Sequence, residues 1–145
     1  MYLSLTGCAL VQCSLTVDDV VKEIHYNQDK LAVVGDLNDW RKEKTISFES
    51  CDQNEPGTLT VRGKDYNMFF NCNKGGLLLH CSASDTTSPW HNFKSDAEHW
   101  TVENGELCQK DFEGWLPPFI NNLEQLGARK IWAAKREVTL IGSPK

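Results

Sequence analysis

In residues 9–17, ALVQCSLTV, every second side chain is apolar. Successive side chains of a β-strand point to opposite faces of the sheet. One face of this segment would therefore carry Ala9, Val11, Cys13, Leu15 and Val17. The pattern predicts a strand with one buried side, which the acidic pair Asp18-Asp19 ends.

Working outward, short strand-like runs recur every 8–12 residues or so, with turn residues between them. Asn27-Gln28-Asp29 tolerates tight-turn geometry and is predicted to join two strands in a hairpin. Only FINNLEQLG, which ends at Gly127, is compatible with a helical turn. Strands are predicted at 9–17, 20–26, 31–34, 44–50, 58–63, 76–83, 129–134 and 137–141. We expect a single all-β domain over residues 1–145, folded as an antiparallel β-sandwich.

Charge and hydropathy exclude several functional classes. The chain has 15 basic and 20 acidic residues, a net charge of −5, so it lacks the basic field that attracts nucleic acid or anionic membranes. No run approaches the ~18 apolar residues of a membrane span, and no membrane insertion is expected. The N-terminal MYLSLTGCALVQC lacks the basic region of a signal peptide, and we interpret it as part of the fold.

The six cysteines, at positions 8, 13, 51, 72, 81 and 108, form no CxxC pair. Zinc-ribbon spacing is therefore absent, and the ~15 disulfide pairings that six cysteines allow stay open. We favour an oxidising, extracellular setting for a secreted protein with at least two disulfides, and expect Cys81–Cys108 to be one pair. The alternative is a cytosolic protein with buried thiols.

The stretch DFEGWLPPF, residues 111–119, followed by GARKIWAA, resembles the closing part of galactose-binding-domain-like β-sandwiches. The earlier DDVVKEIHYNQDKL is similar to the first hairpin of that fold. This resemblance implies a jelly roll that serves as a lectin or as an accessory domain of a glycosidase. Phe112, Trp115 and Trp132 are then expected to be core and edge-covering residues. The matching positions are Asp111, Phe112, Glu113, Trp115, Pro117, Ala128, Ile131 and Trp132.

The first candidate site is the loop Asp36-Leu37-Asn38-Asp39-Trp40. Its oxygen-bearing side chains suit sugar hydroxyls or Ca²⁺, and an indole can pack on the C–H face of a sugar. Calcium is the one cofactor considered, with Asp36 and Asp39 as its ligands. The alternative is a turn closed by its own acidic side chains, with Trp40 buried.

The second candidate site lies in the long loop that contains Trp90, His91 and Asn92 and continues to Asp96, His99 and Trp100. Aromatic residues interleaved with polar ones in a loop of this length are typical of a binding surface. The alternative is a connection held down by its own aromatic residues. If the chain is a lectin, Trp40 or Trp90 should be solvent-exposed.

Catalysis has little support, because GxSxG, phosphate-loop and HExxH motifs are absent. Asp96 and Glu98 are the only carboxylates considered for a glycosidase pair. A zinc shared by His80 and Cys81 is disfavoured, because neighbours on a strand face opposite ways.

The favoured hypothesis is a non-catalytic extracellular lectin-like module that binds a glycan or glycoprotein, alone or as a homo-oligomer. A structural or interaction subunit of a matrix, coat or larger assembly is the alternative. An accessory domain of a glycoside-active enzyme is weaker.

Overall fold

A computed structural model of the chain describes residues 7–66 and 75–144. It contains two five-stranded antiparallel sheets and one short helix, so the expected all-β sandwich is confirmed. Sheet A has the strand order β4 (Lys44–Ser50), β1 (Ala9–Asp18), β6 (Gly76–Ala83), β9 (Ile131–Trp132) and β8 (Cys108–Gln109). Sheet B has the order β3 (Asp29–Lys30), β2 (Val20–Tyr26), β5 (Leu59–Lys64), β10 (Glu137–Gly142) and β7 (Trp100–Val102).

Strand β1 follows its alternating pattern. Its odd-numbered side chains from Ala9 to Val17 are buried between the sheets, whereas Leu10 and Gln12 are exposed. It lies between two antiparallel neighbours, with Val11 opposite Phe48 of β4 and Ala83 of β6. Apart from Leu10 and Leu78, the outer side of this three-stranded region is therefore mostly polar.

The main core fills the space between the sheets with aliphatic side chains and three tryptophans. Trp90, Trp100 and Trp132 are each at most 2% exposed. Tryptophan is rarely buried so completely, and each ring removes roughly 150–250 Å² from water. These rings hold long connections against the sheets, so loop packing is part of the core.

A second, smaller core lies outside sheet A, beneath the helix α1 (Pro118–Gln125). Pro118 stands in the first turn, where a missing amide proton costs nothing, and Gly127 ends the helix with a φ of 98°. Ile120 and Leu123 are buried and pack in one cluster with Leu78 of β6. The predicted short helical segment is confirmed.

Most strand predictions are confirmed, but the prediction for 31–34 is wrong. Strand β3 comprises only Asp29–Lys30, and Val34 forms an isolated bridge with Thr45 of sheet A. The chain here passes from the edge of sheet B to the edge of sheet A, so it cannot extend either sheet. The predicted strand at 129–134 is reduced to Ile131–Trp132, and the two short strands β7 and β8 were not predicted.

The structure contains the disulfides Cys8–Cys51 and Cys13–Cys81, and Cys108 is also disulfide-bonded. The expectation of at least two disulfides is confirmed. The predicted pair Cys81–Cys108 is wrong, because Cys81 lies directly opposite Cys13 in the register of β1 and β6. Cys72 and the first six residues, which include most of the apolar N-terminal start, lie outside the described residues.

Within the described ranges, no helix has the length and apolar character needed to cross a membrane.

Candidate functional site

The first predicted loop is closed by its own polar side chains. Asp36 accepts the amide of Asn38 at 3.0 Å, and Asp39 accepts the amide of Arg41 at 3.0 Å. The Arg41 amide, and then its guanidinium, hold the pKa of Asp39 below its usual range. Both carboxylates are therefore engaged in local turns, as the alternative interpretation of this loop proposed.

A buried ammonium group organises the interior of the same loop. Lys44 is fully buried and donates to Thr16 Oγ1 at 3.2 Å, to the Lys42 carbonyl at 2.8 Å and to the Asp39 carbonyl. The Thr16 hydroxyl donates in turn to the Trp40 carbonyl at 2.6 Å. Burial lowers the pKa of Lys44, and the nearby carboxylates of Asp39 and Asp36 oppose this shift. The oxygen atoms of this loop thus surround a cation that the chain itself supplies.

Trp40 presents only part of its ring to solvent. It is half-buried in the cluster beneath α1, and its ring stacks on Phe112 with centroids 5.5 Å apart. Two clusters of three side chains that could ligate a metal occur among the described residues, and neither contains Asp36 or Asp39. The loop therefore has the composition expected for a sugar or calcium site, but the geometry of a structural turn.

Trp90 corrects the prediction for the second loop. Its ring is 0% exposed, and its Nε1 donates to the Pro56 carbonyl at 2.8 Å. Phe48 and Phe93 pack edge-on against it, with centroids 5.0 and 4.8 Å away. An indole enclosed in this way cannot stack on a sugar. Trp90 holds the loop to the sandwich, as the alternative interpretation of this loop proposed.

The structure also separates the two loops. Trp40 is tied to Thr16, near the carboxyl end of β1, whereas Trp90 packs on Phe48, which lies opposite Val11. Five residues along a strand span about 17 Å. The seven predicted ligand residues therefore do not form one site.

The aromatic residues of the 111–119 segment and of the following strand β9 differ in burial. Trp132, on the later strand, is buried as expected, and Phe112 is partly buried. Trp115 is 79% exposed, so its predicted role as an edge-covering residue is wrong. It follows Gly114, which turns the chain outward with a φ of 82°.

The second loop nevertheless forms a small pocket of about 120 Å³. His91 and Asn92, both predicted, line it together with Asp96 and His99. Asp96 Oδ1 accepts the amides of Glu98 and His99 at 3.0 and 2.8 Å, and Asp96 Oδ2 lies 3.1 Å from His99 Nδ1. The indole of this loop is part of the core, and its polar side chains line the pocket.

A larger groove of about 430 Å³ crosses the outer face of sheet A. Its floor consists of outward-facing side chains of three adjacent strands, and its walls are the end of α1 and the segment 32–34. Among the described residues, no side chain that lines this groove is a carboxylate, lysine or arginine. The polar floor comprises Gln12 and Ser14 of β1, Thr45 and Ser47 of β4, and His80 and Ser82 of β6.

Sequence reasoning missed this groove, although one signal was available. The outward positions of the predicted strands 9–17, 44–50 and 76–83 are mostly hydroxyl, amide or imidazole side chains. What the sequence lacked was the knowledge that these three strands are adjacent.

His80 is the least ordinary residue of the groove floor. It is only 9% exposed, and its Nε2 is buried without a hydrogen-bond partner. Burial lowers the pKa of His80, Lys94 lowers it further, and a hydrogen bond with Asn92 opposes the shift. An imidazole nitrogen without a partner is costly. Because this nitrogen is itself buried, the polar groups of the floor that a ligand can reach include those of the exposed residues Gln12 and Ser82.

A cluster of acids, with Asp65 buried and Asp18 and Asp19 half-buried, lies at another point of the sandwich, where β1 meets β2. Burial, a hydrogen bond with Asp19 and the charges of Asp19 and Asp65 raise the pKa of Asp18 to about 8, and Lys130 opposes this. Hydrogen bonds from Asp18 and the Tyr66 amide outweigh burial and lower the pKa of Asp19. The two carboxyl groups of Asp18 and Asp19 therefore titrate as a pair, in which Asp18 is the more readily protonated.

Comparisons with known protein families, with curated proteins and with solved structures gave no significant match. The resemblance to galactose-binding-domain-like proteins therefore stays a prediction.

Proposed function

We propose that this chain is a non-catalytic carbohydrate-binding module that binds an uncharged glycan in the groove of sheet A. The observation that carries the proposal is an uncharged, hydrogen-bonding floor between apolar walls. The expected exposure of Trp40 or Trp90 is not met, because Trp90 is fully buried and Trp40 is half-buried. The proposed site therefore lies outside the two loops, on the sheet face formed by β4, β1 and β6.

The groove matches the two kinds of surface that a sugar presents. Hydroxyl, amide and imidazole groups both donate and accept, as sugar hydroxyls do. Val34 and Leu126, which are 68% and 53% exposed at the walls, offer apolar contact to the C–H faces. The described lining residues offer no opposite charge to a charged ligand, and the Glu43 carboxylate, which accepts the Ser14 hydroxyl at 2.6 Å, would repel an anion. A neutral glycan therefore suits the groove better than a phosphate or an acidic peptide.

The proposal also covers the assembly state, the location and the partner of the protein. A groove without an aromatic stacking face is expected to bind weakly, so several copies in a homo-oligomer or larger assembly would raise the avidity. Structural disulfides suit an oxidising, extracellular location. The jelly-roll relationship to galactose-binding domains, and a glycoprotein as the natural partner, belong to the same proposal.

One observation favours a second function, that of an interaction subunit. Trp115 is 79% exposed, and a tryptophan on the surface is a common anchor of protein interfaces. This alternative predicts that Trp115→Ala lowers self-association or partner binding and leaves glycan binding unchanged.

The test is glycan-array binding with the protein displayed on a multivalent support. Gln12→Ala and Ser82→Ala each remove one hydrogen-bonding group from the floor, and each should weaken binding by about 2–12-fold, the equivalent of one hydrogen bond. Thr101→Ala, at an exposed position of β7 in sheet B, is the matched control and should bind as the wild type does.

Four outcomes are decisive. Selective loss in the two groove variants supports the site. Binding that neither groove variant weakens places the glycan elsewhere, and loss in Trp115→Ala alone points to the exposed indole. A wild-type protein that binds no glycan in multivalent form overturns the function itself.

A further inference from the structure

We infer that the pocket in the 88–100 loop is a site for a borderline divalent cation of the Zn²⁺ type, ligated by Asp96, Glu98 and His99. The three side chains bring one imidazole nitrogen and two carboxylate oxygens within 4.8 Å of one another. This site is separate from the groove and independent of the glycan proposal.

The separation of two of these ligand atoms already fits a shared metal. Zn–N and Zn–O bonds are about 2.0–2.2 Å long, which places neighbouring ligand atoms roughly 3–3.5 Å apart. Asp96 Oδ2 and His99 Nδ1 are 3.1 Å apart. The third ligand, Glu98, is exposed, so its side chain is free to rotate toward the same point.

Both ordered ligands are held in place by their surroundings. Two backbone amides bind Asp96 Oδ1 and leave Oδ2 directed at His99. The His99 ring packs edge-on against Phe93, with centroids 6.0 Å apart. Supporting contacts of this kind orient metal ligands, and their loss typically weakens metal binding by about 10–100-fold.

The pocket provides room beside the ligands. It measures about 120 Å³, and a site with three protein ligands leaves further positions for water or a ligand. Lys94 also lines the pocket, but its ammonium lies beside Gly127 at the end of α1, where helix carbonyls favour a cation. His91 lines the same pocket, and its Nδ1 accepts the Ala83 amide at 3.1 Å.

The donor set favours a zinc-like ion over calcium. Calcium takes six to eight oxygen ligands, whereas zinc, copper and nickel readily bind imidazole. The metal requires a neutral imidazole, so acidification is expected to weaken binding and metal binding to release protons.

The experiment is titration calorimetry of the full chain with ZnCl₂, after treatment with a chelator that is then removed. Wild-type protein should bind one Zn²⁺ per chain, and an equal concentration of Ca²⁺ should not compete. His99→Gln and Asp96→Asn should each weaken Zn²⁺ binding at least tenfold. Asn at position 96 still accepts the two amides, so this variant tests the charge without removing the turn.

His25→Gln is the matched control. His25 Nε2 lies 3.6 Å from Glu23, which also pairs with Arg62, and no third metal-ligating side chain among the described residues joins this pair. The exposure of His25 resembles that of His99. It should bind Zn²⁺ as the wild type does. If His99→Gln fails to fold, Glu98→Gln at an exposed position gives the same test, and the visible absorption of bound Co²⁺ reports the imidazole ligand directly.

Equal Zn²⁺ affinity in wild type and His99→Gln, or no binding by wild type, would overturn this site. Neither result bears on glycan binding, because the ligands lie outside the groove. Conversely, Gln12→Ala should leave the Zn²⁺ affinity unchanged.

Discussion

The first loop, residues 36–40, and the second loop, residues 88–100, have similar compositions but bury different kinds of group. Each combines acidic or amide side chains with an indole, and each was predicted to bind a ligand. The first closes over the buried ammonium of Lys44 and leaves Trp40 half-buried. The second closes over the ring of Trp90 and leaves its polar side chains around a pocket. The group that a loop buries, rather than its composition, determines which side chains are free to bind.

The largest expected effect is in the second loop. Trp90→Ala would remove a fully buried ring that also donates to Pro56, and should destabilise the protein by about 3–5 kcal/mol. Urea unfolding measures this loss. Trp115→Ala, at an exposed indole, is the control and should stay within about 0.5 kcal/mol of wild type. Equal stability of the two variants would show that Trp90 is not the anchor of the loop.

The next effect is in the first loop. Lys44→Met would remove the ammonium that donates to the Lys42 carbonyl and would leave the Asp39 carbonyl with the Lys42 amide as a donor, and should cost about 2 kcal/mol. Thr16→Val shares this network, so the double variant should lose less than the sum of the single losses. Strict additivity in urea unfolding would contradict a network centred on the ammonium. The exposed Lys30→Met should change little.

A half-buried carboxyl group surrounded by other acids should behave differently from Lys44. Asp18 has a pKa of about 8 in the folded protein, far above the ordinary value of an unfolded aspartate. Between about pH 4 and pH 8 the folded state therefore retains a proton that the unfolded chain has released, and stability falls as pH rises through this window. The lowered pKa of Asp19 acts the other way, with stability lost as pH falls below the ordinary range.

Asp18→Asn should remove the fall in stability between pH 4 and pH 8. Relative to wild type, its melting temperature should gain at least about 3 °C more at pH 8 than at pH 5, the shift that ~1 kcal/mol produces in a chain of this size. Asp85→Asn is the control, because the Thr87 amide lowers the pKa of Asp85 out of this window. A gain that is the same at both pH values would assign the proton to another group.

The smallest effect concerns Asp39, the partly exposed acid of the first loop. Asp39→Ala removes local turn contacts and one of the two carboxylates near Lys44, while the hydrogen bonds of the ammonium to backbone carbonyls and Thr16 remain. It should change the melting temperature by no more than about 2 °C. Calcium should leave both proteins unchanged, since the loop oxygens already surround Lys44. A calcium-dependent rise in wild type that Asp39→Ala abolishes would instead restore the predicted calcium site.

Prediction from sequence succeeded where the information is local. The alternation in 9–17 and 44–50 identified two strands, because burial on one face imposes a period of two residues. The Pro117-Pro118 pair and Gly127 likewise bracket α1 through constraints on their own dihedral angles. The site residues were predicted less well. His91 and Asn92 do line a pocket, but Trp90 is buried, and the groove was not foreseen.

The failures share a cause in long-range contacts. Cys81 bonds to Cys13 because β1 and β6 are adjacent in a set register. The Trp90 side chain bonds to a carbonyl 34 residues away, and Lys44 bonds to a hydroxyl 28 residues away. No pattern within either loop specifies these partners.

The sequence alone therefore determined a disulfide-bonded, all-β chain with a short helix, because alternation, turn residues and cysteine number act locally or through composition. Only the tertiary structure decided which strands adjoin and which indole is enclosed. It also decided that Gln12, Ser47 and His80 share one groove, while Asp96 and His99 meet at hydrogen-bonding distance. These are consequences of how sheets pair and loops pack, and a binding surface exists only where that packing brings distant side chains to the same face.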